Sequence, residues 1–338
     1  MPLVDWDLAT STAVQLGPTG PSVTLDEATS VVSELRRLAN EAAEHVATYT
    51  ELTPQLPDAP VSVVDRRGWA AENVAGLRTV IGPLTDKLAP KIGKFGASVG
   101  SKVAGVQAGA LLAYLSGKVL GQYEVFGNNP GRLLLVAPNI VAVERKLGAD
   151  PRDFRLWVCL HEVTHRTQFT AVPWLRDHFL HEVQAFIAAS EPTSQMWHRA
   201  GKIAEAARGK EGTSLIDAIQ TPEQKVILDR LTALLTLLEG HAEVVMDGVG
   251  PSVIPSVSRI RASFDKRRAS ANPVEMYLRR LFGLEVKLKQ YTQGRLFVSS
   301  VISRVGMSSF NRVFSSADSL PQLSELSDPS AWVSRVSP

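Results

Sequence analysis

Residues 150–169 read DPRDFRLWVCLHEVTHRTQF. The stretch combines a helix start with a chemical motif. Asp150 is placed to cap a helix, Pro151 takes the favoured first position, and Asp153 adds an acid to the first turn. Phe154, Trp157, Val158 and Leu160 supply an apolar run that leads into His161-Glu162-Val163-Thr164-His165, an HExxH pattern. On a helix, residues i and i+4 are neighbours on one face. Both imidazoles can therefore reach one metal ion, at Zn–N distances of about 2.0–2.1 Å. Glu162, next to the first histidine, is placed to act as base toward a water activated by that ion. The plain alternative is a helix with two satisfied histidines.

A catalytic zinc site needs a third protein ligand and leaves a fourth position open. The extended pattern HExxHxxGxxH would put Gly at 168 and His at 171, but the chain has Gln168 and Ala171. The ligand must then come from elsewhere. Thr221-Pro222-Glu223-Gln224 has the form of a capping box with Pro at the first position, and opens a second strong helix. That helix carries Glu239-Gly240-His241-Ala242-Glu243. On a wheel at about 100° per residue, Leu228, Leu235, Ala242 and Met246 fall on one side of Glu239, and Thr232, Thr236, Glu243 and Asp247 on the other. Glu239 sits at the edge of the apolar stripe, where a carboxylate can point inward. It ranks ahead of Glu243, which falls in the polar arc and suits a supporting role, and of His241 on the far edge of the apolar arc.

HEVTHRTQF with PWLRDH, and later LLEGHAEVVMD, resemble the actinobacterial zincin-like metallopeptidases, a family long described as hydrolases of unknown function or linked to deazaflavin coenzyme biosynthesis. GLEVKLKQYTQGRLFV near the C-terminus also looks like that family, so the resemblance runs through most of the chain. EGHA is similar to the EGxA of Glu-type zincins, where the Glu before Gly binds zinc. The resemblance thus implies a zinc-dependent hydrolase fold with Glu239 as ligand, and implies no particular substrate.

Outward from the motif, most of the chain reads as helix. Residues 122–126 and Arg132–Ala137, separated by the turn-forming GNNPG, read as a hairpin just upstream of the HExxH helix. Leu25–Thr50 is a long amphipathic helix, Thr53–Val61 with three prolines a linker, and Asp65–Leu88 a helix that Pro83 should bend or break. Gly96–Lys118 is a small-residue helix whose Gly105 and Gly109 suit close packing. A break at Val249–Pro255 precedes helical sequence over Asn272–Gly306, and the Ser/Pro-rich tail Ser315–Pro338 reads as a surface wrap. The fold class is mainly α (α+β), a zincin-like helical protein with a small hairpin or sheet before the active-site helix. Two parts are expected: an acidic helical segment over 1–60, and a metallopeptidase domain over 61–338. The latter has its active-site helix at about 151–170, its Glu-ligand helix at about 222–247 and a C-terminal helical part over 272–338.

Composition bounds the partners. The 338 residues are 44% hydrophobic and 21% charged, which excludes a disordered chain. One cysteine, Cys159, excludes an internal disulfide and a multi-cysteine zinc ribbon. It lies about 200° round the helix from His161 and reads as a buried, inert thiol. The net charge of +2 gives no global field for nucleic acid. Residues 1–60 hold nine acidic and two basic residues, a net of −7 that leaves +9 for the remainder. An acidic layer docked on a basic body is one reading, and two ordinary solvated faces is the plainer one. The acidic N-terminus lacks the basic start of a signal peptide, and Val103–Gly117 is too short to span a bilayer. A cytoplasmic protein without stable membrane insertion is expected.

Weaker candidates remain. His178 and His181 share a helical face and could hold a second metal, although a partly buried face is the simpler reading. Tyr291 or His241 could donate to a developing oxyanion, and Lys266-Arg267-Arg268 reads as an exposed basic loop. The expected function is a metallopeptidase with one Zn²⁺ held by His161, His165 and Glu239, and Glu162 as general base toward a peptide or protein substrate. An extended substrate would pair along Arg132–Ala137. The competing readings are a silent zinc-bound scaffold and a zinc amidase acting on a small molecule.

Overall fold

The run RLLLV at Arg132–Val136 is apolar without alternation, as a strand buried on both faces must be. In the structure, a computed structural model that describes residues 3–57, 59–88, 94–127, 130–189, 221–269 and 284–336, it forms the central strand of a three-stranded sheet. We call it β3. Strand β1 (Val61–Val64) pairs with it in parallel, Val61 opposite Leu133, and β2 (Gly121–Glu124) pairs antiparallel, Gln122 opposite Leu134. Successive side chains of a strand point to opposite faces. Leu133 and Leu135 accordingly enter the main core, while Leu134 and Val136 enter a smaller one on the other face.

Helices cover both faces of this sheet. On the smaller core lie α1 (Trp6–Leu16), α3 (Arg66–Leu88) and α4 (Lys94–Ser116). The glycines at 105 and 109 let α4 touch α1, because a Cβ at either would lie 2.4 Å from a backbone oxygen of Asp5 or Ala9. α3 runs through Pro83 to Leu88 rather than ending at the proline. The main core is built by α2 (Leu25–Thr50), α5 (Ala137–Leu147), α6 (Pro151–Ala171), α7 (Pro173–Ala188), α8 (Pro222–Gly248), α9 (Val257–Ala269) and α10 (Leu284–Phe310), and α11 (Pro329–Val336) closes the chain.

Capping fixes the two helices that matter most. The Asp150 carboxylate accepts from the Asp153 N–H at 3.0 Å and starts α6. Thr221 and Gln224 form a reciprocal capping box at the start of α8. The mainly α class with a small sheet before the HExxH helix is what the structure shows.

Several details differ from the sequence expectations. β1 falls at the end of the expected linker. β3 is central, so the outer strand on its side of the hairpin is β2. The C-terminal tail does more than wrap the surface: Trp332 is fully buried against Phe297 and donates to the Ser319 carbonyl. Lys266 sits on α9, not in a loop. Helix α10 covers the C-terminal part of the expected helical stretch from Asn272, and residues 272–283 lie outside the described residues. The acidic α2 is held chiefly by its apolar face, with Leu35, Leu38, Ala42 and Val46 fully buried in the main core, and its acids pair with α5 and α6: Glu27 with Arg145, Glu34 with Arg155, and Glu41 with Arg152.

Candidate metal centre

Two turns of α6 and one residue of α8 build the centre. His161 and His165, one turn apart, turn their rings edge to face, and their Nε2 atoms lie 3.2 Å apart. Glu239 brings its carboxylate to both: Oε2 is 3.5 Å from His161 Nε2, and Oε1 is 3.8 Å from His165 Nε2. Tetrahedral zinc with bonds of about 2.0–2.2 Å to N and O needs ligand atoms about 3.3–3.6 Å apart. Two nitrogens and a carboxylate at 3.2–3.8 Å come within about 0.2 Å of that spacing, so such an ion fits with small shifts of the side chains. Among the described residues this is the one group of three or more His, Cys, Asp or Glu side chains able to hold a metal.

The backbone next to Glu239 is closely packed. At the next residue a Cβ on Gly240 would lie 2.2 Å from the Gly294 carbonyl carbon, and one on Gly294 would lie 2.1 Å from the Thr236 oxygen. Helices α8 and α10 therefore cross backbone to backbone immediately beside Glu239. The carboxylate itself stays about 30% exposed, so it faces an accessible space.

Glu162 lies against β2. It is buried, and its carboxyl lies against the first residue of β2, since a Cβ on Gly121 would fall 2.6 Å from Glu162 Cδ. Burial pushes its pKa up; the His161 charge pulls it down and the Glu239 charge pushes it up, leaving it at about 7. Burial also works to lower His161, but its hydrogen bond to the Glu239 carboxylate and the charges of Glu162, Glu239 and Glu243 outweigh it and raise His161. His165 is lowered, mainly by burial. A carboxyl poised near neutrality beside two converging imidazoles can take and return a proton at neutral pH. Next to it is a cavity of about 260 Å³ lined by Gly121, Trp157, His161, Glu162, Met246 and Phe264. A larger hollow of about 790 Å³, lined by His178, Arg230 and Leu323 among others, contains none of the clustered residues.

The structure brings His161, His165 and Glu239 together and leaves the other candidates out. Glu243 is buried, with its Oε2 3.7 Å from Arg261 Nη1. His241 has no exposed surface and lies against the rings of Phe310 and Phe314. Burial and the nearby His165 lower its pKa to about 3, so it is neutral and enclosed, away from any oxyanion. His178 stacks edge-on to Trp174, and neither it nor His181 joins a metal-holding group among the described residues. The side chain of Tyr291 lies outside the described residues. Cys159 is fully buried, and burial with the charges of Glu162, Glu41 and Glu34 holds its thiol well above the usual range.

The wheel placed Glu239 usefully but misjudged its helix. Leu235, on the expected apolar side, is 40% exposed, whereas Thr236 and Glu243, on the expected polar side, are buried. Two residues of the site carried no weight in the sequence. Gly121 had only its place before a strand, and Gln168 only its spacing three residues after His165, which puts both on one helix face.

The fold and the site agree with what the chain is similar to. A zincin-like metallopeptidase family profile matches residues 4–333, and the chain belongs to that family. It thereby joins a class of zinc-binding hydrolases, and the histidine–glutamate cluster is its candidate zinc site. Among solved structures, it is similar to a protein of Chloroflexus aurantiacus described as a candidate hydrolase with a novel fold. Identity is 30%, 98% of each chain is covered and the TM-score is 0.73. No curated protein matches the chain. Among the described residues, no helix is long and apolar enough to cross a membrane.

Proposed function

We propose that this protein is a zinc-dependent peptidase of the Glu-type, with His161, His165 and Glu239 holding a single ion and Glu162 serving as general base. One observation carries the reading: Nε2, Nε2 and carboxylate oxygens converge at 3.2, 3.5 and 3.8 Å with the buried Glu162 carboxyl next to them in the chain. A bound zinc ion supplies Lewis acidity to the substrate carbonyl and to the attacking water. A Glu162 carboxylate oxygen accepts the proton of that water as its oxygen bonds to the carbonyl carbon. The same oxygen then delivers the proton to the amine nitrogen as the C–N bond breaks. A purely structural zinc site would have no use for this base, which favours turnover over a silent scaffold.

The substrate we assign is a peptide or protein segment. Strand β2 begins at Gly121 against Glu162 and is one of the two outer strands of the sheet, so we place an extended chain along β2 rather than along the central β3. The 260 Å³ cavity, walled by Trp157, Met246 and Phe264, would receive a side chain next to the scissile bond.

The test is a peptide-library cleavage assay combined with metal analysis on wild type and Glu162→Gln. Glu162→Gln should keep its zinc and its fold and lose about 10²–10⁴-fold in hydrolytic rate, the range of a positioned general base. Equal rates in the two proteins would defeat the catalytic reading even with zinc present.

A further inference from the structure

Behind His165 lies a fully buried amide that the proposed chemistry does not use. Gln168 Oε1 is 3.0 Å from His165 Nδ1. Its Nε2 donates to the Leu238 carbonyl at 2.9 Å and lies 3.1 Å from His241 Nδ1. The partners decide which end of the amide is which. A backbone carbonyl can only accept, so the NH₂ group faces Leu238 and the carbonyl oxygen faces His165. That oxygen in turn can only accept, so His165 Nδ1 carries the N–H. A neutral imidazole has one N–H, and His165 Nε2 is left with a lone pair directed toward His161 Nε2 and Glu239.

The same amide links the two ligand-bearing helices. Leu238 is the residue before Glu239, and His241 is two residues beyond it, so Gln168 ties His165 on α6 to the turn of α8 that carries the carboxylate. His161 has no such support, since its Nδ1 is buried without a hydrogen-bond partner. We infer that Gln168 is a positioning residue that presets the metal-binding tautomer of His165 and holds it in register with Glu239. The inference rests on the metal-centre reading above.

The test uses the full chain with ¹⁵N-labelled histidine, together with zinc affinity measured by competition with a chromophoric chelator. In metal-free wild type, His165 should show the two-bond ¹⁵N–¹H pattern of the Nδ1–H tautomer. Gln168→Met keeps length and shape but removes the amide. It should move His165 toward the Nε2–H tautomer and weaken zinc binding about 10–100-fold, as loss of a group orienting a metal-bound histidine does. Gln168→Glu keeps an acceptor opposite Nδ1 and, when protonated, a donor to Leu238, so it should restore the tautomer and an affinity close to wild type. A merely space-filling role would instead make Glu no better than Met. Unchanged affinity and tautomer in Gln168→Met would overturn the inference, as would equal losses in the Met and Glu variants. Should Gln168→Met fail to fold by circular dichroism, the wild-type spectrum and the Glu variant decide, and an Nε2–H His165 in wild type overturns it. A wild type that binds no zinc overturns the metal centre itself, and the inference with it. That outcome is distinct from a loss confined to the Gln168 variants.

Discussion

Gly121 shows how much a single atom matters at this site. A Cβ there would lie 2.6 Å from both Cγ and Cδ of Glu162, closer than non-bonded carbons approach. Gly121→Ala must therefore displace the Glu162 carboxyl, while His161, His165 and Glu239, none of which is among the atoms nearest the new methyl, stay in place. A displacement of about 1 Å costs on the order of 10²-fold in rate. We expect kcat to fall by that order with zinc content unchanged, read from steady-state cleavage and elemental analysis; a fully active Gly121→Ala would refute this placement of Glu162. His241 gives a residue-scale prediction of another kind. Its pKa is lowered to about 3 in the folded protein, mainly by burial, against about 6.5 for an unfolded histidine. Between those values the unfolded chain binds a proton that the folded one does not, so stability falls as pH drops from about 6.5 toward 3 and is unaffected above 6.5. The slope reaches about 1.4 kcal/mol per pH unit. Urea unfolding of the metal-free protein from pH 7.5 to 5 should show His241→Asn losing stability less steeply than wild type. Parallel slopes would mean that His241 is not held neutral.

At the scale of elements, α8 crosses α10 immediately beside Glu239. The signature of the crossing is a glycine on each helix, Gly240 and Gly294, packed backbone against backbone. Gly240→Ala puts a methyl 2.2 Å from the Gly294 carbonyl carbon, where no flexible side chain can yield. Overpacking of this kind costs about 1–3 kcal/mol, and here it also levers the neighbouring ligand off the site. Gly240→Ala should lower the unfolding midpoint and loosen zinc together. Gly82→Ala is the contrast. Among the described residues its added Cβ meets Arg78 Cγ alone, at 3.9 Å, so it should be neutral or gain up to about 1 kcal/mol from helix propensity. Thermal denaturation of the two variants with zinc present checks both, and matching midpoints would contradict the crossing. What was legible here divides cleanly. Helix α6 could be read because Asp150, Pro151 and HExxH mark its start and its chemistry locally. The hairpin could be read because its turn is local too. β1 could not, since VSVV follows a proline-rich stretch and its partner Leu133–Val136 lies some seventy residues away in a parallel pairing. The wheel for α8 faltered because the helix is buried on nearly every side, so polarity no longer marks the face toward solvent.

Across the whole molecule, the site stands where separate parts of the chain meet: the strand before the motif, the HExxH helix, and a helix about seventy residues later. Charge balance alone did not show that α2 is a core helix: its Leu35, Leu38 and Val46 are fully buried, while its Glu27, Glu34 and Glu41 pair with Arg145, Arg155 and Arg152. The arrangement behind the motif was not legible, because Gln168, Leu238 and His241 meet only after α6 and α8 have packed. Glu239 became readable through its wheel position and through the likeness of EGHA to Glu-type zincins. Geometry adds the convergence of its carboxylate on both histidines, while Glu243, one turn on, turns to Arg261. The account therefore stands on α6 and α8 sharing one ion. The measurement that tests it most directly is zinc per chain, by elemental analysis after dialysis against a mild chelator, for wild type, His161→Ala, Glu239→Ala and Glu243→Ala. The account predicts one zinc in wild type, sharp loss in His161→Ala and Glu239→Ala, and most of the zinc retained in Glu243→Ala, whose affinity should weaken by no more than about 10–100-fold. Full zinc retention in Glu239→Ala would contradict it.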